Sequence, residues 1–94
     1  MTKADLVEQV VDALGRRVTK RDCGLVIDAF LDAVKEALAS GNGIELRGFD
    51  TFKVRHRRKR MGRNPKTGKP VEVPARNVPV FQPSSLLRER VDRR

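Results

Sequence analysis

Between residues 53 and 76 the chain carries ten Lys or Arg side chains and one acid, Glu72. No other feature constrains the fold so tightly. An unpaired charge is too costly to bury, so this segment cannot enter a core. It also lacks the acids that would pair with its cations along a helix. Phe52-Lys53-Val54-Arg55-His56 alternates apolar with polar, the period of a strand. From Arg57 to Arg63 the apolar face disappears. Asn64-Pro65-Lys66-Thr67-Gly68 reads as a turn, and Val71, Val73 and Ala75 alternate on the way back. The pattern predicts a β-ribbon over about residues 53–76, projecting from the body with Pro65 at its tip. Strands of about 10 residues reach roughly 33 Å, close to one turn of a nucleic-acid duplex at about 34–36 Å. An isolated two-stranded ribbon is marginal in water. The expectation is an arm that is mobile alone and ordered on its partner.

The remaining residues must supply the body. Thr2 with Asp5 is a helix start. Leu6, Val10, Ala13 and Leu14 recur at helical spacing up to Gly15, which predicts a helix over about residues 3–14. Thr19 with Asp22 repeats the signal. Cys23, Ile27, Phe30, Val34, Ala37 and Leu38 then form one stripe, opposite Asp28, Asp32 and Glu36. This second helix is expected over about 20–39, ending at Ser40-Gly41-Asn42-Gly43. The period then shortens: Ile44-Glu45-Leu46-Arg47 alternates, and Gly48 with Asp50 suggests a turn into the ribbon. Asp50 reads there as a turn residue of little functional weight. Val78, Val80 and Phe81 rejoin the sheet. Ser84 can cap a short last helix bearing Leu86, Leu87 and Val91. The fold class is α+β in a single domain over 1–94: a helical part over 1–42, then a three-stranded antiparallel sheet, the arm and a C-terminal helix.

That body is small. The chain has 94 residues with four Phe and neither Trp nor Tyr, and a core of this size is weak by itself. Phe49, Phe52 and Phe81 read as core beneath the sheet rather than as stacking platforms for single strands. Helix two carries more apolar surface than its own chain needs. A homodimer would bury the surplus, and its two-fold axis would match the pseudo-symmetry of a duplex.

Charge narrows the partner. The chain has 21 Lys and Arg against 12 Asp and Glu, a formal net charge of +9. Residues 1–42 hold 6 basic and 7 acidic side chains, whereas residues 43–94 hold 15 and 5. Such a field draws a polyanion, and nucleic acid is the leading class. A lone Cys23 and a lone His56 exclude an internal disulfide and a zinc site. Cys23, set in a helical stripe, reads as a small buried filler. His56, alternating with Val54, reads as a packing residue or a phosphate contact. No signal peptide is visible, and no apolar run approaches the about 20 residues that span a bilayer. The expectation is a cytoplasmic protein with no membrane partner.

An enzyme reading fails on spacing. "GRNPKTGKP" looks like a phosphate loop, but its second glycine falls at 68 rather than 67, and Pro70 follows the lysine where Ser or Thr is needed. There is no nucleophile–His–acid set and no carboxylate cluster, so no catalytic residue, metal, cofactor or small-molecule substrate is expected. The rival reading is an RNA-binding structural protein with a basic hairpin. A ribbon tipped by proline suits the deformable DNA minor groove better than the wide, shallow minor groove of A-form RNA.

Four motifs, "MTKADLV", "IELRGFDTF", "GRNPKTG" and "VPVFQP", make the chain resemble the bacterial HU and integration host factor proteins along nearly its whole length. The resemblance implies an intertwined dimer, with helices below a saddle-shaped sheet and two arms that clasp double-stranded DNA along its minor groove. This family is itself a standing example of minor-groove benders that kink DNA with apolar wedges, and its wedge matches Pro65. Arg63 and Asn64 match the pair that reaches acceptors on the groove floor. Lys53, Arg55, Arg57, Arg58, Lys59, Arg60, Lys66, Lys69 and Arg76 lie along the arm and are expected at phosphates or in the groove. Arg47 precedes Gly48-Phe49 as in the β subunit of integration host factor, and is expected at phosphates beside the saddle. Lys3 is a further candidate. The resemblance also implies a nucleoid-associated, histone-like architectural role.

Two positions depart from the family pattern. Phe81-Gln82-Pro83-Ser84-Ser85 replaces a stretch commonly reading F-K-P-G-K, so two phosphate-binding lysines are missing. Ser84 and Ser85 offer hydroxyls there instead. Asp50 stands where the family usually has glycine. Two forms of the function remain open: a low-specificity homodimer like HU, or one subunit of a sequence-selective pair like integration host factor.

Overall fold

The computed structural model describes residues 1–93. It divides into two compact units, Met1–Glu36 and the chain from Ala37 onward.

In the first unit, helix α1 (Lys3–Ala13) starts in a capping box. The Thr2 hydroxyl accepts from the Asp5 N–H, and the Asp5 carboxylate accepts from the Thr2 N–H at 2.8 Å. Each satisfies an amide that the first helical turn leaves without a partner. The helix stops where Gly15 takes a φ of +66° and the Arg16 amide turns back to the Val11 carbonyl at 3.0 Å. Helix α2 (Lys20–Ala39) starts on Thr19, whose hydroxyl accepts from the Asp22 N–H at 3.0 Å. The Lys20 ammonium lies 2.5 Å from Glu8, and that hydrogen bond holds the Glu8 carboxyl below its ordinary pKa.

The α1 stripe differs from the expected one. Val7 and Val11 are buried, with Cys23 and the partly buried Ile27 beside them. Leu6, Val10 and Leu14, the residues that recur at helical spacing in the sequence, stay 39–49% exposed. The apolar arc of α1 spans 6, 7, 10, 11 and 14, which is wider than one neighbouring helix covers. Among the described residues, Val7 and Val11 at one edge of it are the ones packed with Cys23 and Ile27. On α2 the stripe through Cys23, Ile27, Val34 and Leu38 is at least partly buried, but Phe30 is exposed.

In the second unit, α2 ends as the Gly41 amide reaches Leu38 and the Asn42 amide reaches Ala37. Strands β1 (Ile44–Leu46), β2 (Asp50–Arg57) and β5 (Arg76–Pro83) form an antiparallel sheet in the order β1-β2-β5. Strands β3 (Arg60–Arg63) and β4 (Pro70–Val73) form a separate two-stranded sheet, and helix α3 (Ser85–Val91) follows β5. Ser84 caps α3 by accepting from the Leu87 N–H at 3.0 Å.

The continuous ten-residue strands expected for the arm are interrupted. The β2–β5 ladder ends at the pair Arg57–Arg76, and the β3–β4 ladder begins at Arg60–Val73. Arg58 and Lys59 on one side and Pro74 and Ala75 on the other belong to neither. Pro74, which cannot donate to a ladder, is one of the two residues left out on its strand. Two residues are skipped on each side, so register parity is kept and the arm gains a joint rather than a bulge.

The phenylalanines gather but are not enclosed. Phe52 pairs with Phe81 across β2 and β5, with ring centroids 5.6 Å apart, and Phe49 meets Phe81 edge-on at 5.9 Å. Phe49 and Phe81 still keep about half of their surface.

Candidate nucleic-acid interface

Strand period places the cations. Lys53, Arg55 and Arg57 alternate with Phe52, Val54 and His56, so they share the face of β2 opposite the phenylalanines. Across the ladder they meet Val80, Val78 and Arg76 of β5. The result is a cationic strip underlain by aliphatic side chains, with no acid in it. His56 stands on the other face, its Nδ1 2.9 Å from the Asn77 carboxamide oxygen.

Arg47 sits in the turn between β1 and β2. The Phe49 N–H donates to the Leu46 carbonyl at 3.0 Å, and Gly48 takes a φ of +81°, which favours glycine at the third turn position. A shallow groove at this end of the sheet is lined by Arg47, Thr51, Lys53, Gln82 and Ser84, together with the acids Glu45 and Asp50. The Ser84 hydroxyl accepts its capping bond and keeps its hydrogen for an outside acceptor. Thr51 was missed from sequence and Gln82 was read only as the replacement of a lysine, although strand period puts the pair Thr51–Gln82 on the Lys53 face.

At the joint, Arg57, Arg58, Arg60 and Arg76 converge on a second groove with Pro74. Lys59 turns aside: its ammonium lies 2.7 Å from Glu72 of β4. Beyond the joint, Arg60 and Gly62 share a face with Val73 and Val71, while Met61 and Arg63 share the other with Glu72 and Pro70. A Cβ on Gly62 would come within 3.3 Å of a Val73 methyl, a tight contact that Val73 would have to yield to by a few tenths of an ångström. Met61 and Val71 are apolar and exposed on the arm, and sequence reading gave neither a role.

The tip is held by its own backbone. The Asn64 N–H donates to the Lys69 carbonyl at 2.9 Å, and the Gly68 N–H donates to the Asn64 carbonyl at 2.7 Å. The Asn64 carboxamide oxygen accepts from the Lys66 N–H at 2.9 Å, which leaves its NH₂ end for an external acceptor. The Thr67 hydroxyl accepts from Lys69, and Gly68 takes a φ of +72°. Pro65, Lys66 and Lys69 are all exposed. The Pro65 ring is thus presented outward on a loop whose hydrogen bonds do not involve it. Lys3 lies in the other unit, where its ammonium is 2.5 Å from Asp28.

Among the described residues no helix is long and apolar enough to cross a membrane. Residues 1–92 match the family model described as Bacterial DNA-binding protein. The chain is 49% identical to integration host factor subunit beta of Paraburkholderia xenovorans over 94 residues, covering all of this chain and 87% of that one. It is 45% identical to integration host factor subunit alpha of a Caulobacter species over 93 residues, covering 99% of this chain and 91% of that one. An HU–DNA cocrystal structure from Anabaena superposes with a TM-score of 0.86 at 41% identity, covering 98% of both chains. Over nearly its full length, with two helices, a cationic sheet and a proline-tipped arm in the same order, the chain belongs to the family of bacterial DNA-binding proteins that contains HU and integration host factor.

Proposed function

We propose that this protein is an architectural component of the nucleoid that binds double-stranded DNA in the minor groove as a dimer and bends it. One observation carries the reading: an acid-free cationic face runs along β2 and β5 from Lys53 to the joint, and the arm continues it to an exposed, rigid Pro65. The strip supplies backbone affinity without sequence preference. Arg63 and the free NH₂ of Asn64 flank the proline, where they meet acceptors on the groove floor as the ring enters a base step. Bending then lets Arg47, Lys53 and Ser84 reach flanking phosphates. Gln82 and Ser85 offer only neutral groups at the two missing lysines, so this grip is weaker than two further cations would make it.

The dimer rests on exposed apolar surface. Leu6 and Val10 of α1, Leu14 at its C-cap, Phe30 of α2, Phe49 in the turn and Phe81 of β5 each keep 39–50% of their surface. A second subunit that covers them resolves the weakness of the single-chain core. Light scattering at micromolar concentration is expected to give a dimer; a stable folded monomer would contradict this part.

The DNA reading is tested by competing duplex DNA against duplex RNA of the same sequence. DNA is expected to displace RNA, and equal or tighter RNA binding would overturn it. The identities to integration host factor subunits, together with Arg47 before Gly48-Phe49, favour a second form in which the chain is half of a heterodimer. The protein purified alone separates the two forms. A homodimer binds random-sequence duplex and prefers nicked or pre-bent DNA, whereas half of a pair binds poorly until its partner is added.

A further inference from the structure

Asp50 is the one charged-type side chain buried among the described residues, at 2% exposure. It is not in the turn. It is the first residue of β2, paired in the ladders with Leu46 on one side and Pro83 on the other. Both carboxyl oxygens are sealed from solvent and neither meets a hydrogen-bond donor. Strand period sets its side chain on the Phe52 face, and Pro83 has no N–H to offer. Among the described residues, the charged groups of the neighbouring elements lie elsewhere. Glu45 and Lys53 fall on the opposite face, Arg47 projects from the turn, Gln82 and Pro83 of β5 are uncharged, and Glu89, Arg90 and Arg93 border Gly48. A carboxylate here would lose its hydration with nothing in exchange, and no donor of water size can reach it. The closed sheet therefore holds the neutral acid. Burial accordingly raises the carboxyl above its ordinary pKa.

Two bonds close over this residue. Phe49 donates to the Leu46 carbonyl at 3.0 Å, closing the turn that carries Arg47, and the Phe49 carbonyl accepts from the Ser84 N–H at 2.8 Å, fixing the cap of α3. We propose that Asp50 is a protonation latch at this end of the sheet. Neutral, it allows the turn and the end of β5 to close over it. Ionised, it must reach water, and the turn bearing Arg47 and the Ser84 cap loosen together. The consequence for DNA rests on the proposed contacts of Arg47 and Ser84; the latch itself does not. Because the folded pKa is raised, the stability of the closed form is full below the ordinary Asp value and is lost as pH rises through the folded one.

Carboxyl-carbon NMR of the whole protein tests it. The Asp50 signal is expected to titrate above the ordinary aspartate range, and the Arg47, Gly48 and Ser84 amides are expected to shift at the same midpoint. In Asp50→Asn that shift disappears; Asp50→Gly serves if the amide packs poorly. Titration of Asp50 within the ordinary aspartate range, or titration without movement of those amides, overturns the latch. On duplex DNA at fixed salt, the affinity of the parent protein relative to Asp50→Asn is expected to fall by up to about tenfold per pH unit above the midpoint, and a pH-independent ratio refutes the coupling. Failure to bind DNA at any pH would instead count against the DNA reading, with the NMR result standing apart.

Discussion

Lys59 and Glu72 form an ion pair across the interruption in the arm, Nζ to Oε1 at 2.7 Å. Lys59 lies in the joint and Glu72 in β4, so the pair ties the joint to the distal hairpin. It also takes one cation out of the field that DNA meets. Exposed pairs of this kind contribute about 1 kcal/mol or less, so Glu72→Gln should leave the fold unchanged. It should free Lys59 for a phosphate, with tighter binding at low salt and a salt slope steeper by about 1 per arm. Binding isotherms over a salt series check this; an unchanged slope would show that Lys59 meets no phosphate.

Gly68 governs the tip. At a φ of +72°, alanine costs about 1 kcal/mol. Gly68→Ala should speed exchange of the Asn64 and Gly68 amides while the amides of β2 and β5 keep their protection. DNA should still bind but bend less, because Pro65 is no longer held in one direction. Amide exchange followed residue by residue reads both halves of the expectation.

Affinity should respond steeply to salt. If a dimer neutralises about 6–10 phosphates, binding falls roughly 10³–10⁵-fold between 50 and 200 mM salt. Replacing Arg55 by Ala should lower the slope by about 1 per arm with little effect on the bend. Fluorescence anisotropy on a labelled duplex provides the slope, and a flat response would remove the cationic strip from the account.

Much of this could be read from the residues. The two helices, the turn at 64–68, the cap at Ser84 and the ordering of cations along the arm follow from short-range rules, because each depends on side chains within about one turn of one another. The joint did not. From Arg57 to Arg63 no apolar face is left to mark where a strand stops, and only the pairing shows that Arg58 and Lys59, like Pro74 and Ala75, belong to neither ladder. Likewise the stripe on α1 reads equally well with Leu6 or Val7 inward, and tertiary contact with Cys23 decides it. Asp50 was the sharpest misreading. Beside Gly48 it looks like turn chemistry, whereas the register places it inside β2 and under cover.

The central claim is that the arm bends DNA with the ring of Pro65. The most direct measurement is the end-to-end distance of a duplex labelled at both ends, saturated with the parent protein or with Pro65→Ala. The parent should shorten the distance. The variant should bind with much of the parent's affinity and keep its fold, yet leave the duplex measurably straighter. An identical distance with both proteins would contradict the wedge, and with it the account of why a cationic arm ends in proline.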